Sequence, residues 1–123
     1  MSRDTDADVL LITALPIERD AVIKFLESPQ EQTFKGRIHH RGRIGPYDVI
    51  VLPMFGVGNV RAAAAVTDAI AVWNPAQIIL VGIAGGVAKG DERSLGDVLV
   101  GEHVVDYELA KDKPDGMQRR YRG

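Results

Sequence analysis

Val9-Leu10-Leu11-Ile12-Thr13-Ala14-Leu15-Pro16-Ile17-Glu18 is the stretch on which the fold turns. Its opening apolar run suits a strand covered on both faces, as in a parallel sheet. Pro16 stands close behind, where a first helical residue loses nothing by lacking an N–H. Ile17, Ala21, Val22, Phe25 and Leu26 then recur at helical spacing, with Glu18, Arg19, Lys24 and Glu27 between them. Ser28-Pro29 is expected to end that helix. The stretch therefore reads as strand, turn and helix.

Working outward, the pattern repeats. Phe34 to Ile44 is polar and Gly-punctuated and reads as an exposed or edge strand. Gly45-Pro46 marks a turn. Val49-Ile50-Val51-Leu52 is a second buried strand, followed by Gly56-Val57-Gly58 and an Ala-rich helix from about Asn59 to Trp73, stopped by Asn74-Pro75. Ile78-Ile79-Leu80-Val81 is a third buried strand and runs into Gly82-Ile83-Ala84-Gly85-Gly86. A fourth begins at Gly96-Asp97-Val98-Leu99-Val100 and is expected to reach about Val105. The segment 111–123 is charged, shows no apolar pattern, and is expected to be a loosely ordered tail. Strands alternating with helices give an α/β fold with a mostly parallel sheet. Ligands in such sheets bind beyond the carboxyl ends of the strands, which would gather Thr13 to Glu18, Phe55 to Asn59 and Gly82 to Gly86 along one edge.

Composition narrows the chemistry. The net charge of −2 gives no electrostatic case for nucleic acid or an anionic membrane. The absence of cysteine removes disulfides, thiolate metal sites and a Cys nucleophile, and fits a cytoplasmic protein. Residues 1–8 are polar and acidic, without the basic start and apolar run of a secretion signal. The longest apolar stretch, Ile78 to Ala88, falls short of the ~20 residues that span a bilayer.

Three segments could carry chemistry. Gly56-Val57-Gly58-Asn59-Val60-Arg61-Ala62 could hold an anion through backbone N–H groups at a helix N-terminus, or could be a tight turn only. A dinucleotide fingerprint is the other reading, against which stand Arg61 in place of the last small residue and the lack of an acid among Ala76 to Val81. Gly82 to Gly86 would let a flat ring lie against backbone, or serve turn geometry. Glu18, in the first turn of a helix just beyond a strand, could complement the helix dipole or act as a general base on water. His39 and His40 point to opposite strand faces and, with His103, read as surface or packing residues; no metal is expected.

Leu11–Glu18, Phe55–Ala64, Val81–Val87 and Leu95–Val100 occur in an order and spacing that resembles the 5′-methylthioadenosine/S-adenosylhomocysteine nucleosidases, within the wider purine and uridine phosphorylase superfamily. The likeness extends to about Glu108. It implies a phosphorylase/hydrolase-like three-layer α/β sandwich with a mixed, mostly parallel twisted sheet. It also implies cleavage of the N-glycosidic bond of a purine nucleoside, with no cofactor. The Ala-rich second helix could pack against another subunit, so a homodimer is expected. Glu18 matches the glutamate that activates the attacking water. Ala14 and Leu15 match residues near the base and 5′ end, Val57 an apolar residue of the 5′-alkylthio pocket, and Ile83, Ala84 and Gly85 the segment beneath sugar and base; Gly58 is also expected to bind substrate.

Two departures matter. The phosphorylases place an arginine where this chain has Leu80 and a hydroxyl residue where it has Ile83, so an attacking phosphate would be buried unpaired here. Hydrolysis is therefore favoured over phosphorolysis. Ile83 also departs from the serine usual in the nucleosidases. The family's leaving-group aspartate, Met-Glu ribose clamp and stacking aromatic find no counterpart between Lys111 and Gly123. Residues 1–123 are thus expected to be the N-terminal portion of one such domain, with an incomplete sheet and no turnover alone. A nucleotide-sensing or interaction module of a larger protein is the alternative from another class, and a nucleoside phosphorylase is the alternative within the family.

Overall fold

The computed structural model describes residues 5–56, 58–84, 96–103, 106–108 and 120–122. The chain divides into two compact units, Met1–Gly85 and Gly86–Gly123. In the first, β1 (Val9–Thr13) is followed by α1 (Pro16–Ile23), β2 (Glu27–Phe34), β3 (Arg37–Ile44), β4 (Tyr47–Pro53), α2 (Asn59–Trp73) and β5 (Gln77–Leu80). In the second, β6 (Asp106–Glu108) and β7 (Arg120–Arg122) form an antiparallel pair. Part of the expected tail is thus a strand, and residues 111–119 lie outside the described residues.

The first unit is built on a mixed sheet ordered β2-β3-β4-β1-β5. β1 is parallel to both β4 and β5, while β3 is antiparallel to β2 and β4. The period-2 alternation of the strands splits their apolar runs between two faces. On one face Leu10, Ile12, Ile50 and Leu52 pack against Val66, Ala69, Val72 and Trp73 of α2. On the other, Leu11, Val49 and Val51 pack with Leu26 and with Val22 and Ile23 of α1. Helix, sheet and helix are the three layers.

Several details differ from the sequence reading. The first helix stops at Ile23, and Ser28-Pro29 does not simply end it but lies inside β2, a strand the pattern does not announce. Every β2 residue but Phe34 is exposed, so no apolar alternation marks it. Ser28 there takes a left-handed φ of 52° where the register with β3 shifts between Glu27 and Gln30. β2 is the edge, which makes β3 an interior strand where the sequence reads as an exposed or edge strand. Gly42 of β3 accommodates the irregularity: a Cβ there would lie 2.9 Å from the Glu27 carbonyl oxygen and 3.0 Å from Leu26 Cβ. Gly42→Ala is expected to cost about 1–3 kcal/mol, the usual range for overpacking, read as a lowered urea midpoint at unchanged slope.

The third strand is not buried. β5 pairs with β1, yet Ile78, Ile79 and Leu80 are 46%, 43% and 78% exposed. An apolar run records a need for cover, and nothing among the described residues supplies it. The expected strand from residue 96 is likewise absent over 96–103, where Val98, Leu99 and Val100 are exposed and no ladder forms. A strand exists only with a bonded neighbour.

Polar side chains fix the periphery. Arg41 of β3 donates to both carboxylate oxygens of Asp48, at 3.1 and 2.6 Å, and to the Asp6 carbonyl at 2.9 Å. Lys35 and Arg37 reach Asp68 of α2 at 3.2 and 3.4 Å, tying the β2–β3 turn to that helix. His39 is buried against Trp73, with ring centroids 4.6 Å apart. Burial first, then the Arg41 and His40 charges, push its pKa down and keep it neutral. This is a packing role, and His103 is exposed.

Candidate functional site

Parallel pairing levels the strand ends. Thr13 pairs with Pro53 and Ile12 with Leu80, so β1, β4 and β5 finish side by side. Two further bonds keep the exits level: Met54 N–H donates to the Thr13 carbonyl at 2.7 Å, and Val81 N–H to the Ile12 carbonyl at 2.9 Å. The segments after the three strands therefore leave the sheet along one edge. They are the three turns the sequence singles out.

Glu18 joins two of them. It is 7% exposed, the only buried carboxylate among the described residues. Oε1 accepts from Ala14 N–H at 3.0 Å and Leu15 N–H at 2.8 Å; Oε2 accepts from Ile83 N–H at 2.7 Å. Leu15 is the N-cap of α1 and has no side-chain acceptor, so Glu18 supplies only the reciprocal half of a capping box. The dipole reading of Glu18 thus holds locally, but it does not explain a bond across 65 residues. The Ile83 N–H, then that of Leu15, hold the carboxyl below the ordinary glutamate range; burial opposes them, and Ala14 adds to the lowering. The carboxylate is ionised at neutral pH. A carboxylate offers about four lone-pair sites, and three N–H donors among the described residues occupy three of them.

A cation links the third turn. The Arg19 guanidinium lies 4.9 Å from the centre of the Phe55 ring, while its Nε donates to Asp20 at 2.9 Å. Gly58 is the N-cap of α2, and no acid occupies that helix's first turn. Of the expected substrate residues, Ala14, Leu15 and Ile83 converge on Glu18, with Ala84 next along the chain. Leu15 and Ile83 are 49% and 69% exposed, Gly58 is open, and Val57 and Gly85 lie outside the described residues. The N–H groups of Ala14 and Leu15 are both spent on Glu18. Leu80 and Ile83 are both exposed and apolar, and neither can pair with a phosphate.

Sequence reasoning places Thr13 and Phe55 at this edge but gives neither a role of its own, and it gives none to Arg19. Arg19 reads as an ordinary helix-surface cation. Phe55 is adjacent to the glycine motif but carries no signal of a partner. The Thr13 hydroxyl is buried without a hydrogen-bond partner, which a strand-end threonine does not announce. Among the described residues no group of three or more histidine, aspartate or glutamate side chains is placed to hold a metal ion. No helix among them is long and apolar enough to cross a membrane.

Known proteins resemble this chain in sequence and fold. A family model described as the phosphorylase superfamily matches residues 8–121. The ATP nucleosidase Cap17 of Escherichia coli (strain KTE188) is 35% identical over 112 residues, covering 83% of this chain and 21% of Cap17. A 5′-methylthioadenosine/S-adenosylhomocysteine (MTA/SAH) nucleosidase of Marinomonas sp. (strain MWYL1) is 34% identical over 93 residues, 75% of this chain and 39% of the relative. The crystal structure of the Streptococcus pneumoniae MTA/SAH nucleosidase with 8-aminoadenine superposes with a TM-score of 0.59 at 30% identity, over 68% of this chain and 36% of that one. The chain thus spans about two fifths of the MTA/SAH nucleosidases it matches and about a fifth of Cap17.

Proposed function

This chain belongs to the phosphorylase superfamily, and on that premise we propose that it supplies the water-activating half of a site that hydrolyses the N-glycosidic bond of an adenine nucleoside. The observation that carries the reading is the Glu18 carboxylate, buried at the strand ends and bonded to Ile83 N–H, so that one ionised group serves two of the three turns. Held ionised, it orients water through its remaining lone pair. It is a weak base in the ground state and takes the proton only as the sugar departs and the water becomes acidic. Its charge also favours an oxocarbenium-like transition state. Ala14, Leu15, Val57, Gly58, Ile83, Ala84 and Gly85 would line the nucleoside. The reading includes a homodimer through α2, whose Val60 and Ile70 are exposed, and a cytoplasmic setting.

The substrate follows from the same edge. The apolar Leu15 and Val57 suit an apolar 5′ group such as the thioether of methylthioadenosine. Arg19 at this edge and Arg61 in the first turn of α2 favour a second reading, a 5′-phosphorylated substrate such as ATP, which is also what Cap17 is named for.

Adenine release tests both. The chain is incubated with methylthioadenosine, S-adenosylhomocysteine or ATP, alone and together with the part of the Streptococcus pneumoniae nucleosidase that it does not cover. The complemented protein is expected to release adenine at a rate that phosphate does not change, and the chain alone to release none. Release that requires phosphate would overturn the hydrolytic reading, and no release from any substrate would overturn the enzyme.

A further inference from the structure

Of the residues around the Glu18 carboxylate, Gly82 has no role in any reading above except as part of a glycine-rich motif. Glycine just after a strand ordinarily serves a left-handed backbone. That explanation fails here. Gly36, Gly45, Gly56 and Gly96 have positive φ, and Gly82 is not among them. Its backbone is one that any residue adopts. What is special is the space beside it. A Cβ built on Gly82 would lie 3.1 Å from Glu18 Oε2, 3.6 Å from Cδ and 3.9 Å from Oε1, so the carboxyl group fills the place of the missing methyl.

We propose that Gly82 is a positioning residue for Glu18: the absent side chain at residue 82 is the space in which the carboxylate lies, and it allows Oε2 to reach the Ile83 N–H. A methyl at 3.1 Å would force a shift of a few tenths of an ångström. A free glutamate end would yield easily. This one is held by N–H groups at 2.7, 2.8 and 3.0 Å, so it yields only by lengthening those bonds. The bond nearest residue 82, to Ile83, gives first. The carboxylate would then lose the donor that does most to keep it ionised, and the water it holds would move with it. Displacements on that scale matter to reaction rates, which depend steeply on the alignment of the reacting groups.

The proposal deepens the reading of Glu18 as the base, yet its test needs no turnover. The full chain is labelled with carbon-13 at the glutamate carboxyl carbons and titrated by NMR, with Glu18→Gln identifying the signal. In the wild-type chain Glu18 is expected to titrate below the ordinary glutamate value of about 4.3. In Gly82→Ala its midpoint is expected to rise towards that value. In Ile83→Ala, which keeps the backbone N–H, it is expected to stay low. A folded Gly82→Ala chain with an unmoved Glu18 midpoint would overturn the proposal, as would an equal rise in Ile83→Ala. If Gly82→Ala does not fold, the wild-type chain decides. Its Ile83 amide nitrogen shift should follow the Glu18 midpoint in pH, and an amide that stays flat across it refutes the positioning role. A failure of adenine release alone would leave these shifts untouched, so the two readings fail separately.

Discussion

Glu18→Gln is expected to lower phosphate-independent adenine release by the complemented protein about 10²–10⁴-fold, the range for losing a general acid–base group. Two effects act together. The amide carries no charge and cannot take the water's proton. It also mismatches its partners. Glutamine Oε1 can still accept from Ala14 and Leu15, but Nε2–H₂ would then face the Ile83 N–H, donor against donor, where Oε2 now accepts at 2.7 Å. The variant is therefore also expected to melt below the wild-type chain, which separates a joint role from a purely chemical one. The pH dependence has a definite sign. The folded-state pKa of Glu18 is lowered, foremost by the Ile83 N–H. The carboxylate's stabilising contribution is therefore full above the unfolded value of about 4.3 and is lost as pH falls through the folded value. Adenine release should hold steady from neutrality down to that same region. A Glu18→Gln protein within a few-fold of the wild-type rate would end the catalytic reading of this residue.

Trp73→Ala is expected to remove about 3–5 kcal/mol of stability, the range for truncating a buried tryptophan. Trp73 closes α2, is 5% exposed, and touches both the ring of Phe34, 5.4 Å away between centroids, and that of His39 at 4.6 Å. Its carbonyl also accepts from Ala7 N–H at 2.8 Å, which anchors the segment leading into β1. Small domains have only about 5–15 kcal/mol in total. At about 4–8 °C per kcal/mol, the melting midpoint should fall by about 12–40 °C. Far-UV circular dichroism is the measurement, because Trp73 is the chain's only tryptophan and its fluorescence goes with it. Trp73→Phe should recover part of the loss by refilling the space between α2 and β3. A drop under about 1 kcal/mol would mean that the α2 face is not the core described.

Legibility followed burial. The runs at Val9–Ile12 and Val49–Leu52 are apolar because both faces of those strands are covered, and both emerge as strands. β2 is exposed along almost its whole length, so no pattern marks it, and its bulge at Ser28-Pro29 imitates a helix stop. β5 misleads in the opposite direction. Its apolar residues declare a covered strand, while the cover itself is not among the described residues.

The sequence by itself determined the α/β class, the three glycine- or acid-bearing turns and the choice of Glu18, because hydrophobic period and local motif are properties of neighbouring residues. Only the tertiary structure decided what Glu18 holds. Its bond to the Ile83 N–H, and the room for it beside Gly82, join groups 65 and 64 positions apart, and no local pattern encodes a contact that exists only once β5 lies parallel to β1.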